Sequence, residues 1–271
     1  MNKKIELFDI VMEQNFLREI HRAANLSYNY NKESGFIVYI DESLSRPHVN
    51  QAILGNDRSI ASDITQEFEH HHGTGAHIPA YNYRLVDVHF HPPKSHLHPS
   101  GGDINDHLAA RIVNLNLIDA STEFQTEIYE DEERTRLKGY QTDFPKLVSI
   151  IGLVRDKPED IELLVYQGIS EEPITFDTFS EFVVNYCERV YGYTYDPITF
   201  RKLGFPTRFR STKKIVEFLN ESKYLQSDSI NIKNGKLSDK DLEKLKKFQL
   251  IQTRFFPEEP EYSEDDYLDK F

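Results

Sequence analysis

The amino-acid sequence predicts a mixed α/β domain over residues 1–168, followed by a mostly helical region over residues 169–271 that ends in an acidic tail. Three patterns carry this reading. "LVSIIGLV" (Leu147 to Val154) and "IELLVYQ" (Ile161 to Gln167) are short β-rich apolar runs joined by the turn-like "RDKPED". "RLVDVHF" alternates, with Val86, Val88 and Phe90 on one face and Asp87, His89 and His91 on the other. Beyond Gly168, the residues Phe179, Phe182, Val183, Tyr186, Cys187 and Val190 recur at the spacing of one helix face.

The remaining elements follow in chain order. Met12, Phe16, Ile20 and Ala23 have helical spacing, so a helix is expected from about Asp9 to Ala24. The polar stretch "NLSYNYNKESG" then leads into "FIVYI" (Phe36 to Ile40), a buried strand. Residues 42–80 are rich in Asn, Asp, Ser, Gly and His, with a short strand expected around Ala52 to Leu54. "DINDHLAARIVNLNLI" (Asp103 to Ile118) has helical periodicity. Short helices are expected at Lys213 to Leu219 and from Ser238, where "SDKD" is a capping-box pattern.

Composition narrows the function classes. The chain has 271 residues, 38% of them hydrophobic, with 15 Tyr and 18 Phe, which is ample for a sizeable core. A single cysteine, Cys187, excludes an internal disulfide framework and any multi-thiolate zinc site. The net charge is -13, from 45 acidic and 32 basic residues, without a concentrated basic stripe. Nucleic acid is therefore not an expected partner. The acid excess gathers in "YEDEER" and in "PEEPEYSEDDYLDKF", read as solvated surface or a disordered end. No apolar run approaches the roughly 20 residues that cross a bilayer, and the first residues lack the apolar core of a signal peptide. A cytoplasmic protein without a membrane partner is expected.

The chemistry concentrates in "VDVHFHPPKSHLHPSGGDI", Val86 to Ile104. Two histidines one residue apart on a strand project from the same face, so His89 and His91 can grip one ion together. Pro92 ends the strand, and the chain returns to Ser100-Gly101-Gly102-Asp103 at the start of a helix. If the turn folds back, Asp103 supplies a third ligand, and two histidines with a carboxylate suit zinc best. Ser100 and Asp103 are also spaced as a capping box, and both roles can hold at once. His96 and His98 form a second H-x-H in a proline-bounded loop and read as loop or rim residues. The run His70-His71-His72 with His77 reads as an exposed loop. Asp87, on the ligand face, could orient a ligand ring, but it reads first as an unrelated polar strand residue.

"HFHPPKSHLHPSGGD" resembles the H-x-H-P…S-x-x-D motif of the JAMM (JAB1/MPN/Mov34) metalloproteases. The resemblance covers roughly residues 9 to 168. It implies a JAB/MPN-like (cytidine-deaminase-like) mixed sheet flanked by helices, with His89, His91 and Asp103 as zinc ligands. It further implies Ser100 as the oxyanion helper and Glu33, in "KESGFIVYI", as the base. Two departures are visible. Pro92 and Ser100 are separated by one residue more than is usual in the family, and Glu33 precedes its glycine by one position fewer than in many members.

The implied activity is that of a zinc isopeptidase or peptidase, cleaving at the C-terminus of a ubiquitin-like or sulfur-carrier protein. The alternative is a JAB/MPN scaffold, a binding module that is inactive or needs a partner. "VDVHFHP" also resembles the D-x-H-x-H of amidohydrolase-type barrels. Those barrels draw further histidines from later strands, whereas the last histidine here is His107, and repeated strand–helix alternation is lacking.

Overall fold

The computed structural model describes residues 5–40, 47–55, 83–104, 107, 141–168, 176–192, 194–196, 201–203, 211–222 and 224–255. Its centre is an eight-stranded mixed sheet. Five strands from the first part of the chain form most of it: β2 (Ser34–Ile40), β3 (His48–Val49), β4 (Ile53–Leu54), β5 (Tyr83–His91) and, after β6 (Gln141–Pro145), β7 (Val148–Val154). β8 (Ile161–Gly168) follows, and β11 (Leu225–Lys233) with β12 (Lys236–Leu237) completes the order β12-β11-β8-β7-β5-β2-β3, with β4 beside β2. Only β5 and β7 run parallel; the other pairs are antiparallel.

β7 reads as an unbroken apolar run because both of its faces are buried. Val148, Ile150 and Val154 join one core cluster, and Ile151 and Leu153 the other. The first cluster packs against α1 (Leu7–Val11) and α2 (Gln14–Tyr30), which contribute Leu7, Ile10, Phe16, Ile20 and Ala23. The second packs against α3 (Phe176–Val190) and α4 (Thr212–Glu221), which bring Phe182, Val183, Tyr186, Cys187, Ile215 and Leu219. A helical layer therefore covers each face of one sheet.

Several expectations are corrected. The N-terminal helix is two helices, broken at Met12 and Glu13, and Met12 is 57% exposed rather than part of the apolar stripe. α2 continues through "NLSYNY" to Tyr30, and Asn31, with φ 52°, ends it in the left-handed region. Two of those polar side chains are tied down, one to the end of β5 and one to the turn between β7 and β8. Ser27 Oγ donates to the His91 carbonyl at 2.9 Å, and Tyr28 Oη to that of Asp156 at 2.9 Å.

The region after residue 168 is less helical than its patterns imply. It contributes β9 (Thr194–Asp196), β10 (Arg201–Leu203), β11, β12 and β13 (Gln249–Phe255) besides its helices. β11 pairs with β8 along its whole length, so this region extends the central sheet. β13 pairs with β1 (Ile5–Glu6) and β6 in a separate three-stranded sheet. The histidines at 70–72 and 77, the acidic run at 129–134 and the tail at 256–271 lie outside the described residues. Among the described residues, no helix is long and apolar enough to cross a membrane.

Half of the expected capping box at Ser238 is present at the start of α5 (Asp239–Leu245): the serine caps the helix, and the Asp241 carboxylate bonds its hydroxyl rather than its N–H. Ser238 Oγ accepts from the Asp241 N–H at 3.2 Å and donates to the Asp241 carboxylate at 2.7 Å. Ser238→Ala should lower the free energy of unfolding by about 1 kcal/mol, since a first-turn N–H loses its acceptor. Urea unfolding would show this as a lower midpoint at unchanged slope.

Candidate metal centre

His89 and His91 lie at the C-terminal end of β5, in the middle of the sheet. Their cross-strand neighbours on β7 are Ile151 and Leu153, both in the cluster beneath α3. The two rings therefore stand on the α3 face, and the even-numbered Val86, Val88 and Phe90 pack toward α2, as the alternation predicts. β5 ends at His91, and Pro92 begins the loop to residues 101–104, which are helical.

Ser100 and Asp103 fix that helix start reciprocally. Ser100 Oγ accepts the Asp103 N–H at 3.1 Å, and Asp103 Oδ2 accepts the Ser100 N–H at 2.5 Å. The capping box aims the carboxylate. Oδ2 is held by the backbone, while Oδ1 lies 3.5 Å from His89 Nε2.

The three side chains converge on one point. His89 Nε2 and His91 Nε2 are 3.2 Å apart, and Asp103 Oδ2 is 3.9 Å from His91 Nε2. Ligand atoms held about 2.0–2.1 Å from a tetrahedral zinc ion are themselves separated by roughly 3.3 Å; the two imidazoles stand at that spacing, and the nearest carboxylate oxygens lie a few tenths of an ångström beyond it. One atom from each residue lies within 4.8 Å of the others. The residues fit a small divalent cation, and the identity of that cation is not fixed by this geometry.

Electrostatics favour the same use. His91 is buried, and its Nδ1 lies 2.6 Å from the His96 carbonyl oxygen. A carbonyl can only accept, so Nδ1 carries the proton and Nε2 presents its lone pair inward. Burial brings the His89 pKa down to about 4, with Asp103 pulling it up and His91 pushing it further down. His89 is thus a neutral imidazole at physiological pH, the form that binds metals. Two imidazole nitrogens 3.2 Å apart beside a carboxylate are stable together only with a shared proton or a cation between them.

The other residues singled out in the sequence fall into place unevenly. Glu33 immediately precedes β2, half-buried. In that strand Ser34 pairs with Phe90 and Gly35 with His89, so Glu33 stands where β2 begins, beside the histidine end of β5. Its backbone carbonyl accepts from the Gly55 N–H at 2.8 Å. Asp87 does not orient a ligand ring. Its carboxylate faces Arg84 at 3.9 Å, Oδ1 is sealed from solvent without a hydrogen-bond partner, and burial raises its pKa.

His98 is not a rim residue: it is 7% exposed, and both ring nitrogens are buried without hydrogen bonds. Burial, with smaller contributions from His96, His91 and Arg155, lowers its pKa to about 4. His96 is exposed, and its backbone carbonyl, rather than its ring, serves the centre. Ser27 was missed by the sequence reading. It continues the buried α2 face of Ile20, Ala23 and Ala24, and that spacing was the available signal. No family model, no curated protein and no solved structure matches this chain.

Proposed function

We propose that the chain is a zinc-dependent hydrolase of the JAMM type with a JAB/MPN-like (cytidine-deaminase-like) fold. Its reaction is isopeptide or peptide cleavage at the C-terminus of a ubiquitin-like or sulfur-carrier protein. The observation that supports this most directly is the convergence of His89, His91 and Asp103 at 3.2–3.9 Å, beside a serine that caps the Asp103 turn. His89, His91 and Asp103 hold the ion. When bound, zinc supplies Lewis acidity, which polarises a carbonyl and acidifies water.

The protein's own residues then divide the work. Glu33 is the base: its carboxylate takes a proton from the attacking water and delivers it to the departing amine. Ser100 Oγ already accepts the Asp103 N–H, which leaves its hydroxyl proton for donation to the substrate carbonyl oxygen as negative charge develops. The His96 carbonyl keeps His91 in the tautomer that presents Nε2.

The test is zinc-loaded protein against a ubiquitin-like conjugate, with chelator and Glu33→Gln as comparisons. Chelation should abolish cleavage. Glu33→Gln should retain zinc and lose turnover by about 100-fold or more, the scale of a general base. A Glu33→Gln protein of full activity would remove Glu33 from its role. Zinc-loaded protein that cleaves no conjugate would favour the scaffold.

A further inference from the structure

The ligand loop carries a backbone group that its own helix does not use. Pro99 precedes the cap residue Ser100, and the first intrahelical bond goes to the Ser100 carbonyl, from the Ile104 N–H at 3.2 Å. The carbonyl of Pro99 is therefore left to find donors elsewhere, and Pro99 is buried. Two donors arrive, one from α3 and one from the residue that follows it. Tyr186 Oη lies 2.7 Å from the Pro99 oxygen, and Tyr191 Oη 2.6 Å from the same atom, with a longer approach of 3.2 Å to the His98 oxygen.

Both tyrosines are built to hold still. Tyr186 is completely buried, and burial raises its pKa well above the usual phenol range, so the hydroxyl keeps its proton. The rings of Tyr186 and Tyr191 meet edge to face at 6.1 Å. Gly192, with φ 73°, turns the chain directly after Tyr191, and its N–H closes on the Cys187 and Glu188 carbonyls. Leu97 and Ile104 flank this segment in sequence and sink into the same apolar cluster as Tyr186 and Val183. The turn bearing Ser100 and Asp103 is thus anchored by apolar contacts at both ends and by two hydroxyls in between.

We infer that Tyr186 and Tyr191 are positioning residues that lock the Pro99–Asp103 segment and thereby set where the third metal ligand stands. This rests on the metal-centre reading above. It gives α3, outside the part of the chain that carries the histidine motif, a direct role in the centre.

The experiment compares wild type, Tyr186→Phe/Tyr191→Phe and Ile232→Ala by zinc affinity, the visible spectrum of the cobalt-substituted protein, amide hydrogen exchange and melting temperature. The double Phe variant keeps both rings and removes only the oxygens. It should bind zinc about tenfold more weakly, the lower end for lost support around a ligand. Its cobalt spectrum should change, and the Ser100 and Asp103 amides should exchange faster. Ile232→Ala, in the cluster on the other face of the sheet, should lower the melting temperature yet leave affinity, spectrum and those amides near wild type.

Unchanged affinity and exchange in the double Phe variant would overturn the inference, as would an equal loss of affinity in Ile232→Ala, which would mark general destabilisation. If wild type binds no zinc, the metal reading fails and exchange alone decides. Faster Ser100 and Asp103 exchange in the double variant would still support the lock, and unchanged exchange would overturn it.

Discussion

His91→Ala should purify without zinc, where wild type carries about one ion per chain. A site of two imidazoles and one carboxylate has no ligand to spare. Loss of supporting contacts alone weakens such sites by about 10–100-fold, and loss of a ligand costs more. Asp103→Ala should behave alike but with a second defect, because it also removes the acceptor of the Ser100 N–H. Asp103→Asn separates the two. Its side-chain oxygen can still cap Ser100, so stability should stay close to wild type while zinc affinity falls with the lost charge.

Elemental analysis of untagged protein reads the metal directly, and thermal unfolding with added zinc reads it through linkage. An ion present at about 100 times its dissociation constant stabilises the folded state by about 2.7 kcal/mol. Wild type should show that upward shift, and the His91→Ala protein should not. Equal zinc in both proteins would refute the assigned ligand set and implicate other histidines.

The candidate metal cluster was legible because it is local in sequence. His89 and His91 need only the period-two pleat of one strand, and Ser100 and Asp103 only the geometry of one helix cap. β7 and β8 were legible for a related reason, since burial on both faces makes them continuous apolar runs. β11 was not, and its burial shows why. Leu225 belongs to the cluster under α3 and α4, whereas Ile230 and Ile232 belong to the cluster under α1 and α2. The strand changes its buried face midway, with Ser227 inside and Asp228 and Ser229 between, so no single alternation survives in the sequence.

The supports around the centre were illegible for a different reason. In the sequence Tyr186 is one more member of an apolar helical stripe. Only the packing of α3 on the sheet brings its hydroxyl to Pro99, 87 positions away. His98 was misplaced similarly, because a loop between prolines reads as exposed until the cluster holding Leu97 draws it in.

Gly35→Ala should damage both the fold and the centre. Gly35 pairs with His89 across β2 and β5, and a Cβ there would lie 2.1 Å from the Val88 carbonyl oxygen and 3.0 Å from His89 Cα. These are backbone atoms, fixed by a ladder running from Ser34 to Ile40, so no rotamer change can make room. The strands must separate at the point where His89 is held.

A loss of about 3 kcal/mol or more is expected, the upper end for overpacking, together with weaker zinc binding. Gly152→Ala provides the contrast. There the added carbon meets the Phe90 ring, 2.4 Å away at its nearest atom, on the face turned toward α2. A side chain can tilt, so the expected cost is about 1–3 kcal/mol, and zinc binding should survive. Denaturant midpoints and zinc affinities of the two variants, measured side by side, test the geometry. If Gly35→Ala matches wild type in both, β2 does not press on β5 at His89, and Gly35 has no part in holding the first ligand.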